Sequence, residues 1–538
     1  MKRSDETDRK ATVGKRAAEF LVDSSDLLDT VKRTVEQHYR VVAEPNSDHA
    51  MHYLDTFDWR LYRSSWILYA THNKSGQKLV LETREGGMLQ SIVVAELPLF
   101  AQDLPAGRLH EAIGDLIEPR RLLAHAHMRV GEQTLRVLNA DEKTVVRLVL
   151  QTRALRTSAR ENTDTLLPAV VRVVPVKGYV EEHHMLSAFL ENEFGLSAVP
   201  QCAFVSAMQS AGLTPGGYKS KVTISLRPQM RADDAVRAIH QSLLDIILAN
   251  ADGVRHNLDP EFLHDFRVAI RATRSALRQI KGVFPDNEAK HFSNEFKWLG
   301  AATGSVRDLD VFLLKMEAFR AELPTDMRND LGPLEKYLHV HHDKEHHHLV
   351  DTLDSRRYRA LMDDWSTFLG NPAPVETGTC HGAAQPVVEL ASDRIWRTYR
   401  RVWRRARKID EETPAEALHA LRIECKKLRY LLEFFSSLYP RDEMRALIQP
   451  LKQLQTTLGN FNDREVQQLN LRRIANEMYQ ERLASADSLL AMGRLMDHLQ
   501  QEQLEELKRI HTRFATFSQP DNREQYRRTF KRSVEEAH

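Results

Sequence analysis

Residues 263–285 read LHDFRVAIRATRSALRQIKGVFP, and residues 418–440 read LHALRIECKKLRYLLEFFSSLYP. In the first segment His264, Arg267, Arg271, Arg274, Arg278 and Lys281 are spaced 3, 4, 3, 4 and 3 apart. On an α-helix that spacing sets all six on one narrow face, in a line about 26 Å long at the usual rise per residue. One position earlier runs a mostly apolar series, Leu263, Phe266, Ile270, Thr273, Leu277 and Ile280, which is the packing face. The second segment repeats both lines, with His419, Arg422, Lys426 and Arg429 beside Leu418, Leu421, Cys425, Leu428 and Leu432.

The likeness extends outward from these segments. Sliding residues 261–310 by 155 onto 416–465 needs no gap and gives 12 identities in 50. Pro285 meets Pro440, Lys297 meets Lys452, Gly304 meets Gly459 and Asp308 meets Asp463. The second half of the chain therefore reads as a duplicated helical unit whose halves, about 231–370 and 387–538, pack pseudo-symmetrically. Helix breaks are expected at Pro285, Pro324 and Pro440, with a linker at 370–386, GNPAPVETGTCHGAAQP. A third basic line, Arg394, Arg397, Arg401, Arg404 and Lys408, is spaced 3, 4, 3 and 4. Residues 391–408 hold eight basic side chains and one acid, Asp393.

Upstream the character changes. Residues 1–18 are polar and read as a disordered tail, and 19–225 read mainly as strands. Short apolar runs fall at 66–70, 78–82, 135–138, 145–150 and 170–176, separated by turn signals such as Ser75-Gly76 and Gly86-Gly87. Helical patterns interrupt them at 24–38, 108–118 and 181–193, the last closed by Gly195. The expected fold class is α+β. An N-terminal antiparallel, barrel-like sheet (19–225) precedes an all-α domain (226–538) of two pseudo-symmetric helical bundles.

A run of charge is ordinarily a solvated helix face. Here like charges recur at i,i+4, which costs a few tenths of a kcal/mol per pair, and no acid stands on the line to relieve them. The pattern also recurs in both copies and on a third helix. If the apolar faces pack together, the basic lines bordering them can meet in one groove, a site for a polyanion. His264 and His419, placed alike in the two copies, would hydrogen-bond phosphate or hold an arginine. No nucleophile or carboxylate stands beside both, so no catalytic residue is assigned.

Among His339, His341, His342, His346, His347 and His348, His342 and His346 are i,i+4, a metal-ligand spacing on a helix, but Asp343 stands where an HExxH motif needs glutamate. The run is read as a solvated or phosphate-touching face, with no metal and no cofactor. Trp396, Tyr399 and Trp403 interleave with arginines at a spacing that reads as packing rather than base stacking, which disfavours nucleic acid.

Bulk composition says less. The chain has 538 residues, enough for two or three domains, with 76 Lys+Arg against 75 Asp+Glu and a net charge of +1. Residues 231–538 are balanced too, at 47 of each sign. The cysteines, Cys202, Cys380 and Cys425, are odd in number and form no CxxC pair, as expected of reduced thiols in a cytoplasmic protein. The first 25 residues lack a secretory apolar core, and the greasiest stretch of the second half, 243–249, is far short of a membrane span.

Residues 263–285, with LGAATGSVRDLDVF at 299–312, resemble one half of the CHAD domain, the conserved-histidine α-helical domain. Residues 418–440, with LGNFNDREV at 458–466, resemble its other half, and the likeness covers at least 231–480. That resemblance implies two pseudo-symmetric bundles and non-catalytic binding of inorganic polyphosphate in a central basic groove. It implicates His264, Arg267, Arg271, Arg274, His419, Arg422, Lys426 and Arg429, together with Arg307. The basic lines add Arg278, Lys281, Arg394, Arg397, Arg401, Arg404 and Lys408. One departure is Ala272-Thr273, where the second copy has Lys427-Leu428. The implied location is the cytoplasm, at polyphosphate granules, with granule proteins as partners.

The N-terminal part is similar to the CYTH or triphosphate-tunnel domain, through His52-Tyr53-Leu54-Asp55-Thr56, Asp58, Arg60 and Leu61, then Lys177-Gly178-Tyr179. The stretch 201–226 sits where that family links to CHAD. Active members begin with an ExExK strand, which here falls on Lys15, Ala17 and Glu19 with all three positions changed. Glu82 stands where a lysine is expected, Ile67-Leu68-Tyr69-Ala70 lacks the usual arginine, and the late strands lack paired acids. Hydrolysis of a phosphoanhydride needs carboxylates to hold the cation. The tunnel is therefore read as degenerate. The alternative is a metal-dependent tri- or polyphosphatase using this domain.

Overall fold

The computed structural model describes residues 17–73, 76–84, 87–156, 164–199, 202–371, 380–409 and 413–531. The expected tail lies outside these as far as residue 16, and its last residue, Ala18, opens the first strand. Lys15, Ser75, Gly86 and the middle of the expected linker, 372–379, also lie outside the described residues. The chain divides into two compact units, Met1–Lys219 and Ser220–His538.

The first unit is an antiparallel sheet of β1 (Ala18–Val22), β2 (Val41–Ala43), β3 (Ser47–Thr56), β4 (Trp66–Asn73), β5 (Gly76–Thr83), β6 (Met88–Val94), β7 (Leu122–Leu138), β8 (Thr144–Arg156) and β9 (Asp164–Pro175). Its order is β1-β9-β8-β7-β3-β4-β5-β6, with β2 also on β7. In a flat sheet β9 and β5, five steps apart, would be separated by about 24 Å. Yet Arg172 on β9 comes within 3.5 Å of Glu82 on β5, so the sheet is rolled around an interior.

Alternation along the strands sorts the two faces. Outward residues such as Phe20, Leu148, Val171 and Val173 pack under α1 (Ser25–His38) and α4 (Val180–Phe194). Leu68, Leu79 and Leu81 pack with α3 (Arg108–Ile117), and a short α2 (Arg60–Arg63) follows β3. The interior is filled by α5 (Cys202–Ser210), whose Phe204, Ala207 and Met208 pack on Met51, Tyr53, Tyr69, Val80 and Met128. The start of the expected link segment is thus part of the barrel core.

The second unit is all helix. Its first half holds α6 (Ala232–Arg255), α7 (Pro260–Gln279), α8 (Asp286–Ala302), α9 (Gly304–Leu313), α10 (Met316–Glu322), α11 (Gly332–Asp354) and α12 (Arg356–Gly370). Its second half holds α13 (Val387–Ala406), α14 (Ala415–Phe434), α15 (Arg441–Gln480), α16 (Ala486–Phe517) and α17 (Pro520–Phe530). Both ends of α14 lie 155 residues after those of α7. The repeat also extends back to the starts of α6 and α13. There an antiparallel bridge joins Arg231 to Pro386, its own counterpart, through Ala232 N–H to Gln385 O and Val387 N–H to Met230 O. The pseudo-twofold axis passes through that bridge.

Two features differ from a simple pair of hairpin bundles. The first copy breaks between α8 and α9 at Thr303, whereas α15 runs 40 residues unbroken. Arg267 donates to Gly300 O and Thr303 Oγ1, and Thr303 Oγ1 itself bonds Gly300 O, so this turn has side-chain partners competing with the helix ladder. The counterparts in α15 are Gln455 and a buried Leu458, which cannot do this at the second position. The halves also interlock. Phe312, Met316, Phe319, Leu334 and Leu338 of the first share one core with Leu471, Ile474, Met492 and Leu495 of the second.

Candidate functional site

Helix α7 begins with Asp259 accepting from the backbone N–H of Glu261 and Phe262, and Pro260 occupies its first turn. The apolar series on α7 and α14 is buried at every position from Leu263 to Ile280 and from Leu418 to Leu432. That fixes the helix rotations and brings both basic lines to the border of the packing face.

The lines meet in a central cleft of about 350 Å³ whose lining includes His264, Arg267, Arg271, Arg307, Arg422 and Lys426. Four of these form two pseudo-symmetric pairs, Arg267 with Arg422 and Arg271 with Lys426. Arg271 and Lys426 make no hydrogen bond or ion pair among the described residues, although the Asp463 carboxylate acts on Lys426 from across the cleft. Burial, with Arg422 and Arg271 close by, presses the Lys426 ammonium down to about 8. Burial and Arg271 hold the Arg267 guanidinium down at about 10. Arg422 is lowered by burial and by Arg271, although Asp463 lies 3.4 Å away. A set of partly dehydrated cations facing one another is stabilised by an incoming anion.

His264 stands in the same cleft. Arg307 Nη2 donates to its Nδ1 at 3.1 Å, which leaves the imidazole proton on Nε2. Burial and the Arg307 charge lower its pKa. Arg307 also donates to Pro260 O and lies 3.9 Å from both Glu261 and Asp310, so it acts as a clamp as well as a wall. In the second copy Asn462 takes the place of Arg307, 2.7 Å from His419 Nδ1.

A side cleft of about 490 Å³ gathers Arg278, Lys281, Arg394, Arg397 and Arg401. Lys281 lies beyond the end of α7 rather than on it, and Arg394 donates to its carbonyl at 2.9 Å. Lys408 likewise lies past the end of α13. Arg274, Arg404, Lys408, His419 and Arg429 line neither cleft. Arg429 is engaged by Glu433 at 3.0 Å and Gln455 at 3.1 Å.

Sequence reasoning missed three features. Asp308 and Asp463 enter the central cleft from α9 and α15. Lys427 joins the side cleft. Finally, acids off the lines do reach the cations: Asp393 pairs with Arg397 at 2.6 Å, and Glu424 lies 2.7 Å from Lys427 and 3.5 Å from Arg401.

The histidine run is only in part a solvated face. His342 is buried, 2.9 Å from Asp310, which raises its pKa. His346 bonds Val254 O and His341 stacks on Tyr337, while His339, His347 and His348 are exposed. Among the described residues no three His, Cys, Asp or Glu side chains are placed to hold a metal.

Within the rolled sheet, Arg172 lies 3.1 Å from Glu19 and 3.5 Å from Glu82, and Tyr69 donates to Glu82 at 2.8 Å. Arg153 is consumed by Ala203 O, Pro168 O and Ser206 Oγ. Only about 20 Å³ remains beside these groups, room for about one water. Asp55 of the HYLDT stretch accepts from the N–H of Thr56, Leu61 and Tyr62, turning β3 into α2, and burial raises its pKa to about 6. It is a turn-builder.

The fold and site together define a duplicated helical domain with a cationic cleft between its copies. Residues 238–472 match the CHAD domain family, and the chain carries a CHAD domain there. The CHAD domain from the plant Ricinus communis is 24% identical, with a TM-score of 0.46 over 55% of this chain and 96% of that one. Two other solved structures are similar to a shorter part of the chain. One is bh2851 of Bacillus halodurans, provisionally an adenylate cyclase (20% identity, TM-score 0.24, 35% of this chain and 92% of that one). Another is HpAC1 of Hippeastrum, also provisionally an adenylyl cyclase and described as having a dominant triphosphatase activity (12% identity, TM-score 0.25, 38% and 99%). No curated protein compared with the chain matches it.

Proposed function

We propose that the helical unit binds inorganic polyphosphate in the central cleft without transforming it. One observation carries this reading: Arg267, Arg271, Arg422 and Lys426 converge from both copies of the repeat, and among the described residues Arg271 and Lys426 are held by no ion pair. Arginine offers planar paired donors to phosphate oxygens, and lysine a mobile charge. His264 Nε2–H supplies a neutral donor. Capture proceeds by release of counterions from the polyanion. The association of CHAD domains with polyphosphate supports the choice of ligand, and granules rich in that polymer would then recruit the chain. Among the described residues no helix is long and apolar enough to cross a membrane.

Beside Glu19, Glu82 and Arg172 the space inside the rolled sheet is far smaller than the central cleft, about 20 Å³. Where an active tunnel would need space for phosphates and carboxylates free to hold a cation, Arg172 stands between Glu19 and Glu82 and α5 fills the rest. This supports a non-catalytic reading of the first unit.

The salt dependence of binding tests the proposal. If about six phosphates are neutralised, isothermal titration of polyphosphate should give a log–log slope near about −4, by analogy with single-stranded nucleic acid. A flat dependence would refute capture by the cationic cleft.

A further inference from the structure

Resting on that reading, we propose that the side cleft is the second half of one polyphosphate track, open at one end only, which makes the chain selective for long linear polyphosphate over tripolyphosphate. The two clefts lie along the same line of α7. Arg271 faces the central cleft and Arg278 the side cleft, roughly 10 Å apart along the axis at the usual helical rise. A compact anion can occupy one cleft. Only an extended polymer can occupy both at once.

The side cleft is strongly positive. Arg278, Lys281, Arg394, Arg397, Arg401 and Lys427 line it, and among the described residues Asp393 and Glu424 are the carboxylates that pair with any of them. The bond from Arg394 to Lys281 O ties α13 to the end of α7 and holds the two walls together.

The internal repeat supplies a control. If the cleft were a by-product of the duplicated fold, its counterpart 155 residues away would be basic too. The counterpart positions are Glu433, Ser436, Ile239, Ser242, Ile246 and Ala272, with no cation among them. At that end Glu433 instead neutralises Arg429. Positive charge therefore continues out of the central cleft in one direction and stops in the other. A polymer seated centrally is led toward α13, and the gain from the side cleft is open only to chains long enough to reach it.

The test compares tripolyphosphate with polyphosphate of several tens of residues, titrated into the full chain and its Arg397→Glu/Arg401→Glu variant. Long-chain affinity should fall about tenfold or more, with a salt slope shallower by about 1.4, while tripolyphosphate binding stays unchanged. An Arg397→Gln/Arg401→Gln variant should show a smaller loss in the same direction and guards against local repulsion from Asp393. Equal losses for both ligands, or none for the long chain, overturn the track while leaving the central cleft standing. Failure of the wild-type chain to bind either ligand would overturn the functional reading and the track together.

Discussion

Arg271→Glu combined with Lys426→Glu is expected to weaken polyphosphate binding roughly 100-fold or more near physiological salt. It should also make the salt slope shallower by about 1.4, as two phosphate contacts are lost. These two residues are chosen because neither makes a hydrogen bond or ion pair among the described residues, whereas Arg267 holds Gly300 and Thr303, and Arg307 holds Pro260. In the free protein Arg271 repels Arg267 and Arg422, and Lys426 and Arg422 repel each other. Reversing them relieves that repulsion, so the melting temperature should hold or rise while binding collapses. Calorimetric titration and a thermal melt of the same preparation check both halves of the expectation. A variant that binds normally would show that polyphosphate does not use this cleft.

The second large effect is expected in the rolled sheet. Arg172→Met removes the guanidinium that Glu19 and Glu82 share, each about 8% exposed, and leaves both carboxylates in the interior without that positive charge. Breaking a buried ion pair on one side costs about 3–5 kcal/mol. Hydrogen exchange in β1, β8 and β9 of the full chain should then accelerate about a hundred- to a few-thousand-fold. Adding Glu19→Gln and Glu82→Gln should recover part of the loss, because neutral amides no longer need the guanidinium. Polyphosphate titration should be unaffected in every variant. Unchanged exchange in Arg172→Met would show that the ion cluster does not hold this unit together.

Much of the helical unit was legible because one period of 3.6 residues governs both lines on α7 and α14. The buried series from Leu263 and from Leu418 sets each helix's rotation, and the cations one position later follow. The interlocked core around Phe312 and Leu471 was not legible, since no local pattern says which half a helix end will join. The acids of the central cleft were hidden for a similar reason. Asp308 and Asp463 each lie 41 residues after the arginine they face, Arg267 and Arg422, and only packing brings them back.

The histidine run shows the opposite error. A cluster on one stretch of sequence invited a shared role, but the helix turns its members apart. His342 faces Asp310 in the core, while His339, His347 and His348 face solvent. The unbroken α15 was equally out of reach, because the break in the first copy depends on what Arg267 and Thr303 do to the Gly300 carbonyl. The asymmetry of the two ends, by contrast, was partly visible in Ala272 against Lys427. Its consequence depends on packing, which sets Lys427 in one cleft with residues of α13.

The central claim is that a polyanion seats against Lys426, and proton uptake tests it most directly. Lys426 has a pKa of about 8 in the free chain, so at pH 8.5 most molecules carry it neutral. A bound polyanion favours the charged form, so binding must take up protons and must weaken as pH rises through this range. Calorimetric titration of long-chain polyphosphate in two buffers of different ionisation enthalpy should reveal a net uptake of protons. In Lys426→Arg, whose guanidinium stays charged throughout, binding should persist and the uptake should vanish. Binding without uptake in the wild type, or the same uptake in Lys426→Arg, would contradict the assignment.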